Sequence, residues 1–382
     1  MGVTALQLTS AERLKFALLA DGLLVDDSAA AAINAANRER PIAIPDYAST
    51  SGVILELEGD VWVNAPTADH NANFVERPDN VLTVGVCGGL VVESPIGSIP
   101  ARVWLQPRYH FETGPGGLPF TRFGVTHTDR VRVSPIEGCA YTCTFCDLPY
   151  EYRYRAKDVE SIVATVAAAL SDPDQPAAHV LVSGGTPRPG DFGYVRECYE
   201  AILETFPETP VDIMMVPLHE VLDLADLAQR GLAEVSINME VWDDAVARRV
   251  MPRKHKEGRE HYLDYLAEGA SVLGGQRVRS MLMLGLEPLG ATLEGVAAIA
   301  ELGCVPVLSP FRPDPATPLR DWAPPSAEAI EEAYAAAWAI TSAAGVPLGP
   351  PCLACAHNTV TLPAARGHGS ADHSFGQPLM AG

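Results

Sequence analysis

Through the first third of the chain, apolar and polar residues alternate in short runs broken by Gly, Pro and Asn. The runs are Gly52-Val53-Ile54-Leu55-Glu56-Leu57, Asp60-Val61-Trp62-Val63, Val81-Leu82-Thr83-Val84-Gly85-Val86, Leu90-Val91-Val92-Glu93 and Arg102-Val103-Trp104-Leu105. A period of two turns one face of each segment toward a core, and Val, Ile and Trp suit a pleated backbone, so these are strands of a β-rich domain. Ahead of them, Ser10-Ala11-Glu12-Arg13-Leu14-Lys15-Phe16-Ala17-Leu18-Leu19 reads as a capped amphipathic helix, not as a secretion signal or membrane span.

Beyond residue 130 the rhythm changes. Apolar strands over 131–135, 179–183, 211–217, 234–240, 278–286 and 305–310 alternate with helical segments over 159–170, 191–205, 221–230, 260–273, 293–302 and 326–343. Six βα units in series predict an α/β fold, an open (β/α)6 partial barrel, preceded by the smaller β-rich domain. The expected division is 1–130 for the β-rich domain with its short leading helix, 131–345 for the barrel, and 346–382 for a cysteine-containing tail lying over the barrel mouth. The first domain carries no chemical motif, so packing or covering a substrate is its expected role.

Composition narrows the partners. With 382 residues, 47% of them hydrophobic, the chain can bury one large core and a satellite. A formal net charge of −21 argues against nucleic acid, whose phosphates are bound by surplus Lys and Arg, and favours a small-molecule substrate. No segment reads as a membrane span, and the expected location is cytoplasmic. One basic run stands out in this acidic chain: Arg248, Arg249, Arg253, Lys254, His255 and Lys256. It reads first as a solvated loop; the sharper alternatives are an anionic substrate or a docking patch for an electron donor.

The chemistry is concentrated in Gly138-Cys139-Ala140-Tyr141-Thr142-Cys143-Thr144-Phe145-Cys146, which follows the first barrel strand. Thiolates are natural ligands for clustered iron, and three on one loop can hold three corners of a [4Fe–4S] cube while the fourth iron stays open. A structural zinc site would want a fourth ligand close by, and none follows. Cys87 and Cys198 read as ordinary buried thiols, and Cys304 falls at the N-terminal end of strand six.

Other motifs fall at strand ends. Strand two closes on Gly184-Gly185-Thr186-Pro187, strand four reads Ser236-Ile237-Asn238-Met239-Glu240, strand five ends Leu286-Glu287-Pro288, and strand six ends Leu308-Ser309-Pro310-Phe311-Arg312. Alternation puts Ser236, Asn238 and Glu240 on one face, toward the barrel interior. Glu287, Ser309 and Arg312 are the candidates to face substrate, because polar groups at a barrel mouth are costly unless used or hydrated.

The cysteine spacing, with Phe145 before the last cysteine, resembles the radical S-adenosylmethionine (radical SAM) superfamily. That resemblance implies SAM on the open iron, with the Gly184, Gly185, Thr186 stretch toward its amino group and Asn238 and Glu240 toward its ribose and methionyl parts. It further implies Arg259 at the carboxylate and Leu286 and Leu308 flanking adenine, and a reductant such as flavodoxin or ferredoxin.

The tail holds Pro351-Cys352-Leu353-Ala354-Cys355-Ala356-His357. Cys352 and Cys355, with His357 able to join them, suggest a second iron–sulfur cluster, a soft-atom site, a redox pair or an inert pair. The Cys-Leu-x-Cys part resembles the ending of arsinothricin-type radical SAM enzymes, with Pro351 where that pattern has another cysteine. The expected activity is reductive cleavage of SAM and radical modification of a small metabolite in specialised biosynthesis, with the tail cysteines in the active site. The alternatives are transfer of SAM's 3-amino-3-carboxypropyl group to thiol-bound arsenic, sulfur insertion, and a non-catalytic iron–sulfur electron carrier.

Overall fold

The structure is a computed structural model that describes residues 7–36, 52–68 and 79–363. The chain opens with α1 (Ser10–Asp21), β1 (Leu24–Val25), α2 (Asp27–Ala36), β2 (Val53–Leu57), β3 (Val61–Ala65), β4 (Val81–Val84), β5 (Leu90–Ser94) and β6 (Gly97–Val103). Helix α1 starts on a reciprocal cap. Thr9 Oγ1 accepts from the Glu12 N–H at 3.2 Å and Glu12 returns to the Thr9 N–H at 2.8 Å. The six strands form one sheet in the order β1-β4-β5-β6-β2-β3. Leu14, Leu18, Leu55 and Val63 are fully buried and belong to the same hydrophobic core as the barrel.

The second half contains β7 (Gly124–His127), β8 (Arg130–Val133), β9 (Ile136–Glu137), α3 (Leu148–Glu151), β10 (Arg155–Ala156), α4 (Val159–Leu170), β11 (His179–Ser183), α5 (Phe192–Thr205), β12 (Val211–Met214) and α6 (Leu224–Gln229). It continues with β13 (Glu234–Ser236), α7 (Asp244–Val250), α8 (Pro252–Glu257), α9 (Arg259–Leu273), β14 (Val278–Leu284), α10 (Leu289–Glu301), β15 (Val305–Pro310) and α11 (Ala327–Ala344). The sheet order is β15-β14-β13-β12-β11-β8-β7, six parallel strands with β7 added antiparallel to β8. This is the open (β/α)6 partial barrel with its β-rich companion. Strand β7 extends the barrel's sheet back to Gly124. The basic run makes two short helices, α7 and α8, where a solvated loop is the first expectation.

The tail departs from its expected position over the mouth. A helix that follows a strand runs back along it, so α11 returns the chain to the N-terminal end of the barrel. From there the tail enters the open seam beside β15: the Gly349 N–H donates to Pro306 O at 2.8 Å and the Val360 N–H to Leu308 O at 3.0 Å. A short 3-10 turn, Ala354–Asn358, fills the seam. Lys15 of α1, almost fully buried, donates to Ala356 O at 3.1 Å and Thr361 O at 2.7 Å. Residues 364–382 of the expected tail lie outside the described residues. Cys198 and Cys304 are buried as expected, whereas Cys87 is exposed, on the turn between β4 and β5.

At the N-terminal strand ends, Arg279 of β14 is ion-paired to Asp212 of β12 and Glu234 of β13. Arg279 and Asp212 are buried, so neither side can fall back on water. Removing one partner of such a cluster typically costs about 3–5 kcal/mol because the other charge stays buried without compensation. Arg279→Ala is expected to lower unfolding stability by about that amount, measured by urea denaturation. A loss under about 0.5 kcal/mol would place the trio in effective contact with solvent.

Candidate active site

Strand β9 pairs antiparallel with β10 and closes a neck on the loop 138–154 that carries the three cysteines. The loop rests on the turn after β11. A Cβ on Gly185 would fall 1.8 Å from Gly138 O, and one on Gly184 would fall 2.7 Å from Ser134 Cβ, so this turn needs glycine at both positions to pack. Thr186 makes the join specific: its N–H donates to Cys139 Sγ at 3.1 Å and its carbonyl accepts from the Ala140 N–H at 2.9 Å. The Tyr141 N–H also donates to Cys139 Sγ, at 3.3 Å. On its far side the loop is tied to α7, with the Thr144 N–H on Val250 O at 2.8 Å.

Cys143 and Phe145 are buried in an apolar cluster with Met283, Leu286 and Phe311, and Cys146 packs against it. Burial pushes the Cys143 thiol up to about 12 and the Cys146 thiol well above its ordinary range. Thiols held protonated this way ionise when a cation binds. The donor set therefore fits an iron–sulfur cluster: three soft ligands on one loop, backbone N–H donors on one sulfur, and a dry wall behind the others.

Past β13 the chain stays close to β14 through a single bridge between Glu240 and Leu282. Glu240 has φ +66°, a left-handed backbone uncommon outside Gly, Asn and Asp. Its carboxylate accepts from Lys254 Nζ at 2.7 Å, and the same ammonium reaches Asn238 O at 3.2 Å. Burial penalises the Lys254 charge, yet the Glu240 carboxylate beside it prevails and holds its pKa above the ordinary value. Asn238 is fixed by the Met281 N–H on its Oδ1 at 3.1 Å. Lys254 thus belongs with the cysteine loop. In the sequence Lys254 is one member of a basic run; Asp243 as N-cap of α7 and Pro252 at the start of α8 are the local signals that the run turns helical.

Other expected site residues are committed elsewhere. Ser236 lies deeper, its Oγ accepting from Arg279 Nε at 3.3 Å. Both oxygens of Glu287 serve the chain: Oε2 accepts from the N–H groups of Trp242 and Asp243 at 2.8 and 2.6 Å, and Oε1 from Thr292 Oγ1 at 3.0 Å. Arg259, the first residue of α9, stacks 4.2 Å over the Trp242 ring and donates to Trp242 O at 2.5 Å. With Lys254 it lines a cavity of about 100 Å³. Ser309 donates to Asn358 O at 3.1 Å; Arg312 donates to Asn64 O at 2.6 Å and to Asn358 Oδ1 at 3.4 Å, joining barrel, tail and β3. Leu308 is buried in the main core and not in the apolar cluster around Cys143 and Phe145.

The tail cysteines sit at the opposite end. Cys352 and Cys355 lie against Asp129, in the turn before β8, and His179, the first residue of β11. Gly184 follows His179 by five residues, which at about 3.3 Å each puts the tail pair roughly 16 Å from the cysteine loop. His357 does not join them. Its ring packs edge-on to His127 at 5.8 Å, and its Nδ1 is bonded to Ala354 O. The expectation of active-site tail cysteines is thereby corrected, as is the Cys352, Cys355, His357 ligand set.

A sequence profile of the Radical SAM superfamily matches residues 133–290, the span from the end of β8 to the start of α10. No curated protein sequence matches the chain. A radical SAM methyltransferase from Sphaerobacter thermophilus is similar in structure at 18% identity, covering 75% of this chain and 82% of its own, with a TM-score of 0.47. HydG, a maturase of the [FeFe]-hydrogenase, is similar at 12% identity over 57% of this chain and 50% of its own, with a TM-score of 0.45. HydG from Carboxydothermus hydrogenoformans is similar at 14% identity over 59% of this chain and 55% of its own, again with a TM-score of 0.45. This chain therefore spans about half the length of either maturase.

The Gly185–Gly138 approach is testable. Gly185→Ala must push the cysteine loop off the β11 turn, because the added methyl meets backbone and not a movable side chain. Iron bound after anaerobic reconstitution is expected to fall at least severalfold while far-ultraviolet circular dichroism stays native. Full iron content in a folded variant would show that the turn does not set the loop.

Proposed function

We propose that this SAM-dependent iron–sulfur enzyme, whose residues 133–290 form a radical SAM superfamily domain, cleaves SAM to methionine and 5′-deoxyadenosine while modifying a small acidic metabolite. The observation that carries the reading is the meeting of the three-cysteine loop with the Gly184–Thr186 turn and the Lys254–Glu240 pair at one end of the barrel. Cys139, Cys143 and Cys146 hold the [4Fe–4S] cluster, which when bound supplies the electron that breaks a carbon–sulfur bond of SAM. Asn238, Glu240 and Lys254 orient SAM's polar groups. Phe145 and Leu286 keep water from the cysteine loop.

An acidic substrate is supported by a cavity of about 160 Å³ that touches Gly138 and Gly184 and is lined by Arg122, Arg132 and Lys157. Three cations around one small space in an acidic chain favour a carboxylate or phosphate. Its one carboxylate, Glu137, is paired with Arg155. Two other readings lose their residues. Aminocarboxypropyl transfer to thiol-bound arsenic and sulfur insertion both called on the tail thiols, which face the far end. A place in specialised biosynthesis and a reducing, cytoplasmic setting complete the proposal. The second is supported by eight unpaired cysteines; no described helix is long and apolar enough to cross a membrane.

The electron donor docks on α7 and α8. Arg248, Arg249, Arg253 and Lys256 are exposed there, and Val250 holds the cysteine loop directly. Acidic flavodoxins and ferredoxins suit such a patch by charge.

Two measurements test these readings. Reconstituted enzyme with SAM and dithionite is expected to yield 5′-deoxyadenosine without 5′-methylthioadenosine, and the Cys139→Ala, Cys143→Ala, Cys146→Ala variant to yield neither. Methylthioadenosine as the main product would overturn the proposed cleavage. In the second, Arg249→Glu with Arg253→Glu is expected to slow flavodoxin-driven turnover about tenfold at low salt and to leave dithionite-driven cleavage unchanged. Equal slowing with both reductants would rule out a docking role.

A further inference from the structure

The tail cysteines have company that no function above uses. Cys352 Sγ lies 3.3 Å from each oxygen of Asp129, and Cys355 Sγ lies 3.1 Å from Asp129 Oδ1 and 3.1 Å from His179 Nε2. His179 Nε2 is 3.4 Å from Asp129 Oδ1. One ligand atom from each of the four residues lies within 4.8 Å of the other three. Metal–ligand bonds of about 2.0–2.3 Å in a tetrahedron place the ligand atoms about 3.3–3.8 Å apart; the separations of 3.1–3.4 Å here fall at and just under the short end of that range.

The chemistry of the four favours one class of ion. Two thiolates, an imidazole and a single carboxylate oxygen make a closed tetrahedral shell for a borderline-soft d10 cation, and they are too few thiolates for an iron–sulfur cube. Cys352, Cys355 and Asp129 are buried and His179 half-buried, so water has little access to a vacant position. The Cys355 N–H donates to Cys352 Sγ at 3.2 Å, so the backbone holds one sulfur in place. Arg130 is near enough to both thiols and to Asp129 to offset the net charge of −1 left by two thiolates, a carboxylate and a divalent ion. The turn that presents Asp129 is strained. Thr128, a β-branched residue, has φ +60°.

We propose that Asp129, His179, Cys352 and Cys355 form a structural zinc site at the N-terminal end of the barrel. The ion joins three separate pieces of chain: the β7–β8 turn, the first residue of β11, and the tail. Its task is to clamp the tail into the seam between the edge strands β15 and β7, where the tail also holds β3 and α1. The site lies away from the cysteine loop and does not depend on the reaction proposed above.

The test counts metals in the anaerobically purified full chain after equilibration with one equivalent of Zn²⁺ and desalting. Wild-type protein is expected to keep about one zinc per chain in addition to its iron. The Cys139→Ala, Cys143→Ala, Cys146→Ala variant should lose iron and keep zinc; Cys352→Ser with Cys355→Ser should lose zinc, keep iron and still cleave SAM. Should the tail variant fail to fold, zinc-edge X-ray absorption on the wild type decides, with two sulfur ligands at about 2.3 Å and two nitrogen or oxygen ligands at about 2.0–2.1 Å expected. A wild type that retains no zinc, zinc without sulfur ligands, or iron–sulfur absorption surviving in the triple-alanine variant would each overturn the site.

Discussion

Six parallel strands give the barrel a polarity, and a residue's position along its strand decides which end it serves. At the C-terminal ends the sequence can place loops of any length without disturbing the pairing, so the cysteine loop, the β11 turn and the α7–α8 excursion gather there. The N-terminal ends receive the returning helices and whatever follows the last one. The polarity therefore sets two clusters of cysteines, Cys139, Cys143 and Cys146 in one and Cys352 and Cys355 in the other, about one strand length apart. The 139–146 loop lies at the C-terminal strand ends, while Cys352 and Cys355 lie at the N-terminal ends against Asp129 and His179.

The C-terminal end works through unequal treatment of charge. Cys143 and Lys254 are buried and the Glu240 side chain is mostly covered, an environment where a lone ion would be neutralised by a shifted pKa. Lys254 keeps its proton because the Glu240 carboxylate beside it outweighs the cost of burying the charge. Removing the positive charge would leave Glu240 facing the cysteine loop alone. The pair also fixes Glu240 in its left-handed backbone, so a side-chain interaction and a strained φ support the same carboxylate position. Glu287 contributes at one remove, bonding the Trp242 and Asp243 N–H groups and so holding the segment against which Arg259 stacks.

The periodic parts of this architecture were legible in the sequence. β11 and β15 begin and end where the hydrophobic runs do, and α4 fills its predicted span, because each is long, regular and buried on the expected face. The cysteine loop was legible from spacing alone. Contacts that depend on three-dimensional return were not. Nothing local in Lys254 separates it from Arg253 and Lys256; only the fold of α8 turns one of the three inward. Glu287, Ser309 and Arg312 read as mouth residues because they are polar at strand ends, yet each finds a backbone partner that no periodicity reveals. Asp129 and His179 carry no motif at all. They become visible only when the tail is brought to them.

The tail's route, by contrast, followed from a rule already in hand. A helix after a parallel strand must run back, so a segment leaving the sixth helix starts at the N-terminal end and would need to cross the whole barrel to cover the mouth. Crossing inside the seam satisfies the backbone on the way, as the bonds from Gly349 and Val360 to β15 do. It also explains why the β-rich domain and the barrel share one hydrophobic core. Lys15 of α1 grips the tail from one side, Arg312 binds Asn64 of β3 and Asn358 of the tail from another, and Trp62 and Trp104 pack on Cys352 and Cys355. The seam that an open barrel leaves is thus closed by three parts of the chain that contact one another. A change that loosens the tail is felt first by that joint and only through it by the cysteine loop.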